Sequence, residues 1–138
     1  MPHTSPSAPD ATIAVIGAGR LGRVLARALR DAGFIVHGPL SRSDEIPQVD
    51  LAILTVPDAA IADAACTARP LAGKLAHTSG ATGLEDVDFS IHPLQTFTGG
   101  EAPEIFHGIG AAVAGRTPDD EAAARELAEA LGMTPFGV

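Results

Sequence analysis

Thr12-Ile13-Ala14-Val15-Ile16-Gly17-Ala18-Gly19-Arg20-Leu21-Gly22 (TIAVIGAGRLG) is the stretch that decides the architecture of this 138-residue chain. Residues 12–16 form a short, mostly β-branched apolar run, which suits a strand buried on both faces. The run stops at Gly17, and residues 17–22 then spell G-x-G-x-x-G. From Leu21 onward the apolar positions Leu21, Val24, Leu25, Ala28, Leu29 and Ala32 recur at helical spacing, while Arg23, Arg27, Arg30 and Asp31 fall elsewhere. An amphipathic helix closed by Gly33 is therefore predicted. Between a strand and a helix each glycine has a physical duty: Gly17 permits the tight turn, Gly19 lets a pyrophosphate approach the backbone, and Gly22 lets helix and strand pack closely. Ala18, Arg20 and Leu21 complete this candidate cofactor-binding turn. No Gly-Lys-Ser/Thr follows, which excludes a Walker-type phosphate loop.

Working outward, strand and helix signals alternate. Phe34 to His37 reads as a second strand, Asp50 to Val56 as a third stopped by Pro57, and Ala59 to Ala68 as an alanine-rich helix. Lys74 to Thr78 and Phe89 to His92 are the fourth and fifth strands, followed by a surface loop from Leu94 to Gly108. Ile109 to Ala114 is a sixth strand. Thr117 is an expected N-cap, with Pro118 at the first helical position and Asp119, Asp120 and Glu121 in the first turn, where the helix dipole favours negative charge. Gly132 closes that helix, and Met133 to Val138 is a last edge strand. Such alternation predicts an α/β fold with right-handed crossovers and a mostly parallel, doubly wound sheet.

Composition narrows the functional classes. Nine basic residues against seventeen acidic give a net charge of −8, which argues against nucleic acid as a partner. It does not argue against a nucleotide, because backbone N–H groups at a helix N-terminus can hold a pyrophosphate whatever the net charge. The lone cysteine, Cys66, excludes an intrachain disulfide framework and a zinc-type cluster, so no metal is expected. Residues 1–11 read as a flexible leader with no signal-peptide pattern. No apolar stretch approaches the ~20 residues that cross a bilayer, so no membrane partner is expected and the reading is cytoplasmic. Residues 12–138 are then one dinucleotide-binding domain.

The choice of cofactor is read after the second strand. NAD sites usually place an acid about 20 residues beyond the glycine turn, where it binds the ribose 2′-OH. Here the strand runs into Ser41, Arg42 and Ser43, and no acid appears before Asp44. Two hydroxyls flanking a guanidinium suit a phosphate, with Arg20 near the same corner, so NADP(H) is expected over NAD.

The glycine turn, Val56-Pro57-Asp58, His77-Thr78-Ser79-Gly80 and His92-Pro93-Leu94-Gln95-Thr96-Phe97 together resemble the N-terminal part of Rossmann-like proteins carrying a DUF2520 domain. These are similar to pyrroline-5-carboxylate reductase, prephenate dehydrogenase and the wider 6-phosphogluconate-dehydrogenase-like superfamily. The resemblance implies a Rossmann-type NAD(P)-binding fold in which Val56, Pro57 and Asp58 lie along the cofactor. On the residues alone, Pro57 is equally a strand stop and Asp58 a helix N-cap. The resemblance also places Ser79 and His92 near the nicotinamide, the histidine taking a substrate hydroxyl proton as hydride leaves and the serine orienting it. A structural role, with the His92 ring bonded to a backbone carbonyl at a strand end, stays open beside it. His3, His37, His77 and His107 have no such support.

Family members continue into a helical domain that supplies dimer contacts and much of the substrate pocket. Nothing here corresponds to it, which leads to an expectation of cofactor binding with little turnover by this chain alone and a homodimer in the full-length form. The expected function is hydride transfer between a nicotinamide dinucleotide and an unidentified small-molecule substrate. The alternatives are a non-catalytic nucleotide-binding or sensing module, or a phosphosugar or flavin-type site on the same fold.

Overall fold

The computed structural model of the chain describes residues 5–8 and 10–138, so His3 and part of the expected leader lie outside the described residues. Strand β1 is Thr12–Ile16, helix α1 is Arg20–Asp31, β2 is Ile35–Leu40 and β3 is Val49–Leu54. A 3-10 turn at Asp58–Ala60 leads into α2, Ile61–Ala68, and a second at Arg69–Leu71 into β4, Ala72–His77. Then come β5 at Phe89–Pro93, a 3-10 turn at Pro103–Phe106, β6 at Gly110–Gly115, α3 at Pro118–Ala130 and β7 at Thr134–Gly137.

All seven strands form one sheet in the order β2-β1-β3-β4-β5-β6-β7. Every neighbouring pair is parallel except β5–β6, which is antiparallel. The strand order changes direction at β1: the chain steps outward to β2 on one side, then crosses back to β3 on the other. The two α-helical crossovers of the first half lie on opposite faces of the sheet, α1 after β1 and α2 after β3. Alternation along the strands explains the two faces. Ile13, Val15, Leu51, Ile53, Phe89, Ile91 and Val113 pack with Val24, Leu25 and Leu29 of α1 and Leu127 of α3. Ala14, Ile16, Ala52, Leu54 and Leu75 pack with Ile61, Ala65 and Ala68 of α2. Burying each large side chain here stabilises the fold by roughly 1.5–3 kcal/mol.

Several expectations are revised in detail. β2 runs through Gly38 and Pro39 to Leu40 instead of ending at His37. Proline is tolerated because β2 is the edge strand, paired with β1 alone, so an N–H can be missing there. The predicted 59–68 helix begins as a 3-10 turn and becomes α-helical only at Ile61. Alternation is incomplete: residues 41–48 and 78–88 join strands without a helix. The 94–108 segment is no simple surface loop. Its Phe106 is fully buried, with Phe97 at a ring-centroid distance of 5.4 Å. Arg27 of α1 donates to the carbonyls of Gly99 (2.7 Å) and Glu101 (3.1 Å), strapping the segment onto the helix. The Glu101 carboxylate accepts the N–H groups of Thr98 and Gly99, and these bonds, Thr98 first, hold its pKa below the usual value.

The start of α3 is as expected in outline. The Thr117 hydroxyl accepts the Asp120 N–H at 3.1 Å, and Pro118 follows it. Asp120, however, does more than complement the dipole. It is buried, and its carboxylate meets the Lys74 ammonium at 2.8 Å, tying α3 to β4. That bond is the main cause raising the Lys74 pKa.

Candidate functional site

The glycine turn sits where β1 ends and the strand order reverses, the place at which open α/β sheets receive ligands. Two of its glycines are explained by the protein's own packing. Gly17 has φ +121°, and a Cβ on it would lie 2.6 Å from Thr55 Oγ1. A Cβ on Gly22 would lie 2.1 Å from the Gly17 carbonyl oxygen, so helix and turn can touch only without it. Gly19 differs: a Cβ there would meet nothing within 4 Å. Gly19 is also the N-cap of α1, with no side-chain cap and no acidic residue in the first turn. The first-turn N–H groups thus carry no side-chain cap, and the nearby charges, Arg20 and Arg23, are positive although a helix N-terminus ordinarily favours acids. Thr55 Oγ1 donates to the Ile16 and Gly17 carbonyls (3.1 and 3.0 Å) and Arg23 Nε to that of Ala18 (3.1 Å), so the turn is held from behind.

Beside the turn lies an open groove of about 900 Å³ between the 41–46 loop and α2. It brings together Gly17 and Ala18 of the turn, Ser41 and Arg42 of the loop, and Val56 and Pro57 after β3. Gly19, Arg20, Leu21, Gly22, Ser43 and Asp58 are not among its lining residues. The Arg20 stem instead lies toward Gly99, and Asp58 opens the 3-10 turn without a side-chain capping bond. Sequence reading missed the rest of the lining. Ala60, Ala64, Thr67 and Leu71 share one side of the α2 segment, with Asp63 among them, and Leu40, Asp44, Glu45 and Ile46 form the opposite wall. The signal was available in the helical spacing of Ala60, Ala64, Thr67 and Leu71, whose small and apolar side chains leave room for a flat ring.

In the loop, Ser41 is already engaged. Its N–H and its hydroxyl both donate to Asp44 Oδ2, at 2.7 and 2.9 Å, and these two bonds, the backbone one first, lower the Asp44 pKa. The Ser43 hydroxyl lies 3.4 Å from that of Ser41. Arg42 is exposed and makes no hydrogen bond or ion pair among the described residues.

Ser79 and His92 fall at the carboxyl ends of β4 and β5, on the same edge of the sheet as the glycine turn. Three strand steps separate β1 from β5, roughly 14 Å at the usual spacing. The Ser79 hydroxyl accepts the N–H groups of Ala81 and Thr82 at 3.1 Å each and donates to Thr82 Oγ1 at 3.2 Å, so it is bound within its own turn. The ring of His92 is bonded instead through Nδ1 to the Thr78 carbonyl at 3.1 Å. His77, which the sequence left without a role, is fully buried with both ring nitrogens bonded. Among the described residues no His, Cys, Asp and Glu cluster could hold a metal, and no helix is long and apolar enough to cross a membrane.

No family model matches the chain, and no curated protein matches it. Solved structures do. A Bacteroides fragilis protein provisionally assigned as an NADP oxidoreductase superposes with a TM-score of 0.79 at 23% identity, over 97% of this chain and 62% of its own. Prephenate dehydrogenase from A. aeolicus follows at 0.77 and 11% identity, over 96% and 61%. Pyrroline carboxylate reductase from Plasmodium falciparum gives 0.67 at 10%, over 95% and 59%. The chain spans about three-fifths of the length of these structures. Its fold is accordingly the Rossmann-type α/β fold of NAD(P)-dependent dehydrogenases.

Proposed function

We propose that this chain is the NADP(H)-binding domain of an oxidoreductase that moves a hydride between the nicotinamide and a small carbonyl, imine or hydroxy-acid substrate. Gly19 carries the reading. Among the described residues no neighbouring atom requires a glycine at that position, so the missing side chain serves whatever approaches the uncapped start of α1. A pyrophosphate fits that place by charge and by size. The apolar wall of Val56, Ala60, Ala64 and Leu71 suits the adenine ring, and Arg42, with Ser41 and Ser43 beside it, suits a ribose 2′-phosphate. Asp58 follows Pro57 and Arg20 follows Gly19 in the chain, so the two flank the residues of this site.

The nicotinamide supplies the hydride chemistry when bound. The protein's part is to fix its position and to handle the proton. The His92 Nδ1 must donate to the Thr78 carbonyl, since that oxygen can only accept, which leaves Nε2 to take a substrate hydroxyl proton. Ser79 contributes by shaping the turn that presents the Thr78 carbonyl. The A. aeolicus enzyme was solved with NAD+ and hydroxyphenyl propionate and the P. falciparum enzyme with NADP, which supports a dinucleotide ligand. The histidine-containing segments further support a place among the DUF2520-type proteins. On that reading a helical domain completes the substrate pocket and the homodimer, and the protein works in the cytoplasm.

The test is a fluorescence titration of one sample with NADPH, NADH and FMN. With no Trp or Tyr in the chain, protein emission does not mask the nicotinamide signal. Saturable binding of NADPH, tighter than NADH and without FMN binding, is expected. Binding of FMN alone, or of no dinucleotide, overturns the reading.

A further inference from the structure

We propose that His77 and Gly80 are positioning residues for His92, fixing which of its nitrogens carries the proton and keeping the other one open. The inference rests on the hydride-transfer reading above and goes beyond it by naming what sets the state of the base.

His77 Nδ1 accepts the Ser79 N–H at 3.1 Å, and an N–H can only donate. Its Nε2 lies 2.8 Å from the Gly83 carbonyl, which can only accept. His77 is therefore neutral with its proton on Nε2, and it closes the 77–83 turn from the inside, where it is 0% exposed. The Ser79 hydroxyl, bonded to Ala81 N, Thr82 N and Thr82 Oγ1, closes the same turn from within. The Thr78 carbonyl, between these two anchors, is thereby aimed at His92 Nδ1.

The opposite constraint acts on His92. Its Nδ1 carries the proton, so Nε2 carries the lone pair. No protein group bonds Nε2, yet no buried side-chain nitrogen or oxygen lacks a partner among the described residues, so Nε2 reaches solvent. Gly80 makes room for the ring in this position. A Cβ there would stand 2.7 Å from His92 Cδ2 and 2.8 Å from Nε2, so close that the ring would have to move away. Gly80 is exposed and its φ lies outside the left-handed region, so neither burial nor backbone strain demands a glycine. What demands it is the neighbouring imidazole.

The test is the tautomer of His92, read by long-range ¹H–¹⁵N NMR of the full chain labelled at histidine, at about pH 8.5 where a free imidazole is neutral. His92→Gln assigns the signal. The wild type is expected to hold the proton on Nδ1 of His92 and on Nε2 of His77. In Gly80→Ala, an exposed change that leaves the core intact, the Nδ1–H fraction of His92 is expected to fall at least about two-fold while the His77 signal stays put. His77→Asn, which keeps an acceptor near Ser79 but cannot reach Gly83, is expected to loosen His92 in the same way. A wild-type His92 protonated on Nε2, or a tautomer unchanged in Gly80→Ala, overturns the proposal. NADPH fluorescence on the same samples separates the two levels: an unchanged tautomer with NADPH bound removes the positioning role alone, whereas a lack of NADPH binding in the wild type removes the hydride-transfer reading with it.

Discussion

At Gly19 a single hydrogen atom stands where any other residue would place a carbon facing open space. Replacing it with valine is therefore expected to leave the thermal transition nearly unchanged and to abolish measurable NADPH binding. A folded Gly19→Val protein with full affinity would separate the turn from the ligand. Arg42 sets a different test. Its guanidinium is unengaged among the described residues, so Arg42→Ala is expected to cost about 1.5–3 kcal/mol of NADPH binding and little of NADH binding, and the wild-type preference to shrink as salt rises. Equal losses for the two cofactors would place Arg42 away from the 2′-phosphate. Asp44 was legible only as the first acid beyond Ser43. Its hold on both donors of Ser41 was not, because a turn that folds a carboxylate back on its own chain leaves no periodic signature.

Elements bounded by strong local chemistry were the most legible. β1 begins and ends where its β-branched run does, and α3 starts at the Thr117-Pro118 pair because a hydroxyl cap and a proline at the first position agree. β2 was cut short because Gly38-Pro39 reads locally as a stop, and only its place at the sheet edge permits the strand to continue. Asp120 shows the same limit. Read along the helix it is a dipole partner, whereas its burial beside Lys74 depends on where the start of α3 lies in space relative to β4. Lys74→Gln should lower stability by about 1–2 kcal/mol in denaturant titration, a figure discounted because the Lys74 side chain is 42% exposed. The pKa of Lys74 is raised in the folded protein, so its contribution is complete below the ordinary lysine value of 10.5 and is lost as pH rises through the raised one. Wild-type stability should therefore fall more steeply than that of Lys74→Gln in strongly alkaline solution. Parallel curves would show the bridge to be idle.

For the molecule as a whole, the glycine turn and the alternation of elements made the α/β sheet legible, since a strand feeding a helix across a tight turn admits few topologies. The antiparallel β5–β6 pair and the helix-free 41–48 and 78–88 connections were not, because an apolar strand run carries no sign of its direction and a turn cluster does not show which elements it joins. One wall of the groove was hidden because its alanines, Ala60 and Ala64, read equally well as core. One continuous ligand path is expected along the carboxyl edge, from the 41–46 loop over the glycine turn to His92. Mapping amide and imidazole shifts of the ¹⁵N-labelled chain on adding NADP+ tests that path most directly. Shifts are expected at residues 17–22, at residues 41–46, at residues 56–64 and at the His92 ring, while the helix face of α3 stays silent. Shifts confined to other surfaces, or none at saturating NADP+, would rule out a dinucleotide on that path.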